Sequence, residues 1–208
     1  MKSFTIFSVI TFVAAVTLYG CSDTAPSDLP KSDLGSNTVS KYVAIGNSLT
    51  AGYQSGALFE DGQTYSFPNL VARQLKMAGA PLGNFEQPIW GNPGNYGANG
   101  KSARMEILGF YKDPTTGQIL PSIGSAGLTP GVAKNLNLQR VYDNLGIPGA
   151  KIGDFFDTTD FIAKSTATFN PFYAHVLRSA AFGKNTYQQA KSLSPDLITF
   201  WLANNDVL

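Results

Sequence analysis

The chain has 208 residues, a formal net charge of +1 and 14% charged residues, against about 25% in an average globular domain. So even a balance supplies neither a basic face for nucleic acid nor a polybasic patch for an anionic membrane, so no nucleic-acid partner is expected. With 43% apolar residues there is enough to build the core of one domain.

The first twenty residues read as a targeting segment. Lys2 gives a positive start, and the apolar run Phe4 to Leu18 is interrupted by Ser8, Thr11 and Thr17. It falls short of the roughly 20 residues that span a bilayer, as a signal peptide does. Its end, Leu18-Tyr19-Gly20-Cys21, resembles the lipobox of bacterial lipoproteins, although Tyr19 is bulkier than the usual occupant. The resemblance implies that Cys21 carries a lipid and holds an exported protein on the bacterial cell envelope, at the outer membrane. A cleaved secretory peptide followed by a chance Cys is the alternative. Cys21 is the only cysteine, which excludes an intramolecular disulfide. Residues 21 to 40, rich in Ser, Asp, Pro, Gly and Thr, read as a flexible tether.

The folded part is expected from Lys41 to the end. Tyr42-Val43-Ala44-Ile45, closed by Gly46, has the character of a buried parallel strand. Phe67, Leu70, Val71, Leu75 and Ala78 recur at helical spacing, with Ser66 as N-cap, Pro68 in the first turn and Gly79 as the stop. Residues 80 to about 135 read as an insertion: a Gly- and Asn-rich loop carrying Trp90, then a hairpin. Its strands are Arg104 to Tyr111 and Gln118 to Leu120, joined by Asp113-Pro114-Thr115-Thr116-Gly117. Leu138 to Tyr142 reads as a strand, Pro171 to Ala181 and Thr186 to Leu193 as helices, and Ile198 to Leu202 as the most hydrophobic strand. No internal repeat is visible.

Three strands thus each end in a small polar turn. Ligands of open α/β sheets bind at the carboxyl ends of strands, so these turns share one rim. Gly46-Asn47-Ser48-Leu49-Thr50-Ala51-Gly52 follows the first strand and puts a hydroxyl at a tight turn, where a neighbouring base can activate it. It is not the G-x-S-x-G elbow, because Thr50 stands where the second Gly would be. Gly149 is placed to offer a backbone N–H, and Asn205 a side-chain amide, to a developing oxyanion. Taken one at a time, these are equally well ordinary turn residues.

As a set they resemble the first three sequence blocks of the SGNH (GDSL-like) hydrolases. Gly46-Asn47-Ser48-Leu49 stands for the usual Gly-Asp-Ser-Leu, Asn144 to Gly149 for Asn-x-Gly-x-x-Gly, and Ala203-Asn204-Asn205-Asp206 for Gly-x-Asn-Asp. The resemblance implies a three-layer α/β/α sandwich with a doubly wound parallel sheet (the flavodoxin-like fold of that family, strand order 2-1-3-4-5). Only its first three core strands would be present, with the loop and hairpin inserted. It implies that Ser48 is the nucleophile of a carboxylic ester hydrolase, and that Ser48, Gly149 and Asn205 form the oxyanion hole. No metal or organic cofactor is needed; the substrates are acyl lipids, acetylated glycans or small esters. Two departures matter: Asn47 replaces Asp, and Ala203 replaces Gly, which requires negative φ at that position.

The family's catalytic Asp-x-x-His has no counterpart here. His175, the only histidine, follows Phe172-Tyr173-Ala174, lies before the third block and reads as structural. The chain is therefore expected to be the front part of such a hydrolase, nearly inactive by itself, with its last strand an open apolar edge prone to aggregation. The competing expectation is a non-catalytic surface lipoprotein that binds glycan or protein through Trp90, Tyr96, Phe110 and Tyr111.

Overall fold

A computed structural model describes residues 32–95, 104–125, 129–167 and 170–207. The chain divides into Met1–Ser32 and Asp33–Leu208, and the described helices and strands belong to the second unit. The leader, Cys21, most of the tether and Tyr96 lie outside the described residues. The fold is mixed α/β. Its centre is a three-stranded parallel sheet in which β1 (Tyr42–Gly46) lies between β4 (Asn144–Gly146) and β5 (Leu197–Trp201). The hairpin β2 (Met105–Lys112) and β3 (Ile119–Ser125) forms a separate two-stranded sheet.

Side chains alternate across β1 and so feed two cores. Tyr42 and Ala44 pack with Ala72, Val71, Leu75 and Phe85 on one face. Val43 and Ile45 join Leu145, Ile147, Phe172, Val176 and Ala190 on the other. The first face is covered by α3 (Phe67–Met77), which starts with Pro68 in its first turn and stops at Gly79, φ 89°. Ser66 occupies the N-cap position but makes no capping bond, because its hydroxyl goes to Gln87 Oε1 at 3.1 Å. The second face is covered by α5 (Phe172–Leu177) and α6 (Thr186–Ser192). Every residue of β1 and β4 is buried.

Several expected boundaries move. The second sheet strand is Asn144–Gly146, not Leu138 to Tyr142, because only Asn144, Leu145 and Gly146 lie in register with β1. Residues 138 to 142 approach it without a ladder; Tyr142 instead donates its hydroxyl to the Asn135 carbonyl at 2.8 Å. The helix expected over Pro171 to Ala181 ends at Leu177, since Arg178 takes φ 56° and a single 3₁₀ turn, Ala180–Phe182, follows. Three short helices carried no readable periodicity: α1 (Ser48–Ala51), α2 (Glu60–Thr64) and α4 (Phe161–Ala167). Order also begins before Lys41: Val39 packs on the first core, and Asp196 Oδ2 accepts Ser40 N–H, Ser40 Oγ–H and Lys41 N–H at 2.6–2.9 Å.

The hairpin lies where it was expected, with β3 running longer, to Ser125. Cross-strand partners share a face, so Met105, Ile107, Phe110, Pro121, Ile123 and Ile119 line one side; most are more than half exposed, and Phe110 is 70% exposed. Its base is tied to the loop after α1: Met105 N–H donates to Ser55 O at 2.6 Å, and the Arg104 guanidinium sits 5.1 Å over the Phe59 ring. Among the described residues no helix is long and apolar enough to cross a membrane.

Candidate functional site

The parallel register sets the site. Gly46 lies level with Gly146 on one side and Trp201 on the other, so the three following loops leave the sheet at the same height. Sheet packing dictates glycine at the first two of these positions. A Cβ on Gly46 would run into Thr50 Oγ1 and lie 2.7 Å from Trp201 O, and one on Gly146 would collide with the backbone of Thr50 and Ala51. Gly46 is therefore required by crowding, and not by a positive φ. The two glycines let α1 start directly above the strand ends.

Asn47 is fully buried and holds this start in place. Its N–H donates to Trp201 O at 3.2 Å, its Oδ1 accepts the Leu49 N–H at 3.3 Å, and its Nδ2 donates to Asn204 Oδ1. The residue that replaces Asp thus caps α1 and also links the first loop to the third. Ser48, next in line, is partly exposed at the first position of α1. Its hydroxyl has no hydrogen-bond partner among the described residues.

Behind α1 lies a buried amide network that the sequence did not announce. Asn144 Nδ2 donates to Thr50 O at 2.8 Å and to Gln87 Oε1 at 3.2 Å, while Asn144 Oδ1 accepts Gly146 N–H at 2.9 Å. Gln87 Nε2 donates to Gln63 O at 2.9 Å, and Gln63 Oε1 accepts the Trp90 N–H at 2.8 Å. A satisfied network of this kind rigidifies what it surrounds. Gln63 and Gln87 sit in irregular or short segments, so only their zero-to-few-percent exposure marks them.

The second and third loops meet each other. Gly149 has φ 82°, a left-handed conformation that suits glycine, and is exposed. Its N–H has no acceptor among the described residues. Asn205 Nδ2 donates one hydrogen to Ala150 O at 2.9 Å, and Asp206 Oδ2 accepts Ile152 N–H at 3.0 Å. A primary amide carries two donor hydrogens, so one on Asn205 is left over. Ala203 is held at φ 81°, ψ −22°, contrary to the negative φ expected of a non-glycine residue there. Asn205, Asp206 and the Asn47–Asn204 contact hold the loop that imposes this strain, whose cost is about 1–2 kcal/mol.

Loop two continues into a 3₁₀ turn, Ile152–Phe155, clamped from below by α4 and α5. Lys164 Nζ contacts both Asp154 and Asp157, and Tyr173 Oη donates to Asp154 Oδ2 at 2.6 Å. The hydrogen bond from Lys164, with that from Thr159 N–H, draws the Asp157 carboxyl down to about 2. Burial and the neighbouring Asp154 push the Tyr173 phenol well above its ordinary value.

His175 is buried in α5, stacked edge-on to Trp90 at 4.8 Å, with a hydrogen bond to the Pro88 backbone. Its Nε2 has no partner among the described residues. Desolvation lowers its pKa to about 4, so at neutral pH it is an uncharged core residue and makes no hydrogen bond to Ser48. Trp90 is likewise a packing residue, its Nε1–H donated to Gly131 O at 2.7 Å. Of the surface-binding candidates, Phe110 and Tyr111 are exposed.

The loops that carry Ser48, Gly149 and Asn205 therefore leave the sheet at one level, joined through Asn47–Asn204 and Asn205–Ala150, whereas His175 lies in the core. Among the described residues no imidazole or carboxylate bonds the Ser48 hydroxyl, and no group of three His, Cys, Asp or Glu is arranged to hold a metal. No family model matches the chain, and neither a curated protein nor a solved structure matches it.

Proposed function

We propose that this chain is part of an SGNH-type carboxylic ester hydrolase, with Ser48 as nucleophile and Ser48 N–H, Gly149 N–H and the Asn205 amide as the oxyanion hole. The observation that carries this is the joining of three loops remote in sequence: Gly46, Gly146 and Trp201 in register, with Asn47 bonded to Asn204 and Asn205 bonded to Ala150. The sheet order β4-β1-β5 is consistent with strands 2-1-3 of the flavodoxin-like, doubly wound sheet of that family, and helices on both faces with its three layers.

In this mechanism Ser48 Oγ attacks the ester carbonyl while its proton passes to a base. The tetrahedral oxyanion is gripped by the two backbone N–H groups and by the amide hydrogen that Asn205 does not spend on Ala150. Collapse expels the alcohol, and water then releases the acid from the acyl-enzyme. Each donor is worth about 3 kcal/mol of barrier. The base is assigned to the family's Asp-x-x-His segment, which these 208 residues do not contain. Without it, turnover falls by about 10⁶-fold, as on loss of the base in a serine protease.

The test is chemical rescue. Added imidazole should restore hydrolysis of p-nitrophenyl acetate by this chain above the buffer-imidazole background. Ser48→Ala should abolish the gain, and Asn205→Ala should cut it about 100-fold. A gain that persists in Ser48→Ala removes Ser48 as nucleophile.

A second reading is favoured by the hairpin. A lone two-stranded sheet is marginal in water, and its exposed apolar face gives a non-catalytic lipoprotein a surface for glycan or protein. A folded chain that shows no Ser48-dependent rescue favours that role. In either case the protein is proposed to be exported and anchored through a lipid on Cys21.

A further inference from the structure

Beside Ser48 the surface changes character. Loop two runs on toward α6 and the second core, whereas on the α3 face a groove of about 420 Å³ opens between α1, α2, the start of α3 and β5. Its walls are Leu49, Tyr53, Tyr65, Phe67 and Trp201. Leu49 directly follows Ser48, and the Trp201 carbonyl accepts the Asn47 N–H on the other side of it. Leu49, Tyr65 and Trp201 stand 49%, 67% and 51% exposed, an unusual amount of apolar surface to leave in water at one spot.

The groove's exposed lining is mostly apolar, its open polar side-chain groups being the Gln54 amide, the Tyr65 hydroxyl and the Trp201 indole N–H. Tyr53 Oη is already donated to Gly56 O at 2.8 Å, and Ser66 Oγ is engaged with Gln87 at 3.1 Å. A sugar ring placed here would lose water from its many hydroxyls and find few partners to replace it. A hydrocarbon chain loses nothing by entering, and an acetyl group is far too small to fill a groove in the ordinary 300–1,000 Å³ ligand range.

We infer that this groove receives the alkyl chain of a medium- or long-chain acyl ester, so that the acyl group lies along Leu49 and Trp201 with its carbonyl at Ser48. This rests on the assignment of Ser48 as nucleophile and selects acyl lipids over acetylated glycans as the substrate class.

Trp90 and Trp201 are the two tryptophans of the chain, which makes binding readable without catalysis. The probe is 11-bromoundecanoate, whose bromine quenches indole fluorescence on contact, used below its aggregation concentration. Saturable quenching is expected in the unsubstituted chain and in Trp90→Phe, with none in Trp201→Phe. Tyr65→Asp, an exposed change that spares the core, should weaken binding by at least about tenfold, because the chain would then lie against a charge. Bromoacetate at the same concentration should not quench. Quenching confined to Trp90, quenching indifferent to Tyr65→Asp, or no quenching at all overturns the acyl groove. The two proposals fail separately: Ser48-dependent rescue without probe binding removes the groove alone, and probe binding without rescue removes the esterase alone.

Discussion

β1 and β5 are hydrogen-bonded neighbours of similar hydrophobic character, yet every residue of β1 is buried whereas Ile198, Phe200 and Trp201 stand about half exposed. Composition does not separate them; neighbours do. β1 has a strand on each side and helices on both faces. Among the described residues β5 pairs only with β1, and its outer edge and part of both faces stay open. The rim built on β1 and β4 is accordingly rigid, closed by glycines and an amide network. The β5 side is open and apolar, and it is where the proposed acyl chain would lie.

The largest expected effect lies on the closed side. Gly146→Val should cost about 3 kcal/mol or more and is relieved by no rotamer, because the clash is with the backbone of Thr50 and Ala51. Urea denaturation measures it, and a loss below about 1 kcal/mol would mean that α1 is not seated on β4 as described. The next effect is a pH dependence. His175 has a folded pKa of about 4 against about 6.5 when unfolded, so the folded state excludes its proton. Its contribution is fully present above about pH 6.5 and fades as pH falls to about 4, by up to about 3 kcal/mol. His175→Gln should flatten stability across that window; an unchanged slope assigns the acid sensitivity elsewhere. The smallest effect lies on the open side. Phe200→Ser should change stability by about 1 kcal/mol or less while reducing self-association, measured by light scattering. A loss as large as that at Gly146 would erase the contrast between the two strands.

Local chemistry made much of this legible. The apolar run Tyr42 to Ile45, the periodicity of Phe67 to Ala78, and the turn-rich Asp113 to Gly117 between two apolar runs each announce an element by spacing that the backbone must obey. The three loops that leave the sheet at one height were legible as polar turns following apolar runs. What escaped was whatever depends on residues far apart. Nothing in Leu138 to Tyr142 says that it misses the sheet while Asn144 to Gly146 joins it; only register with β1 decides that. Nor does Ala203 reveal its left-handed backbone, which its contacts with loops one and two impose.

By itself, then, the amino-acid order determined the first and last strands of the sheet and the hairpin, which turns carry a hydroxyl, an amide and a permissive glycine, and that a lone histidine sits on an apolar helix. The folded chain alone decided that Asn47 spans two loops, that Gln63 and Gln87 lock α1 from behind, and that Leu49 and Trp201 share one open groove. The reason is physical: hydrogen-bonding and helical preferences act over a few residues, whereas burial and pairing depend on what distant chain happens to lie alongside.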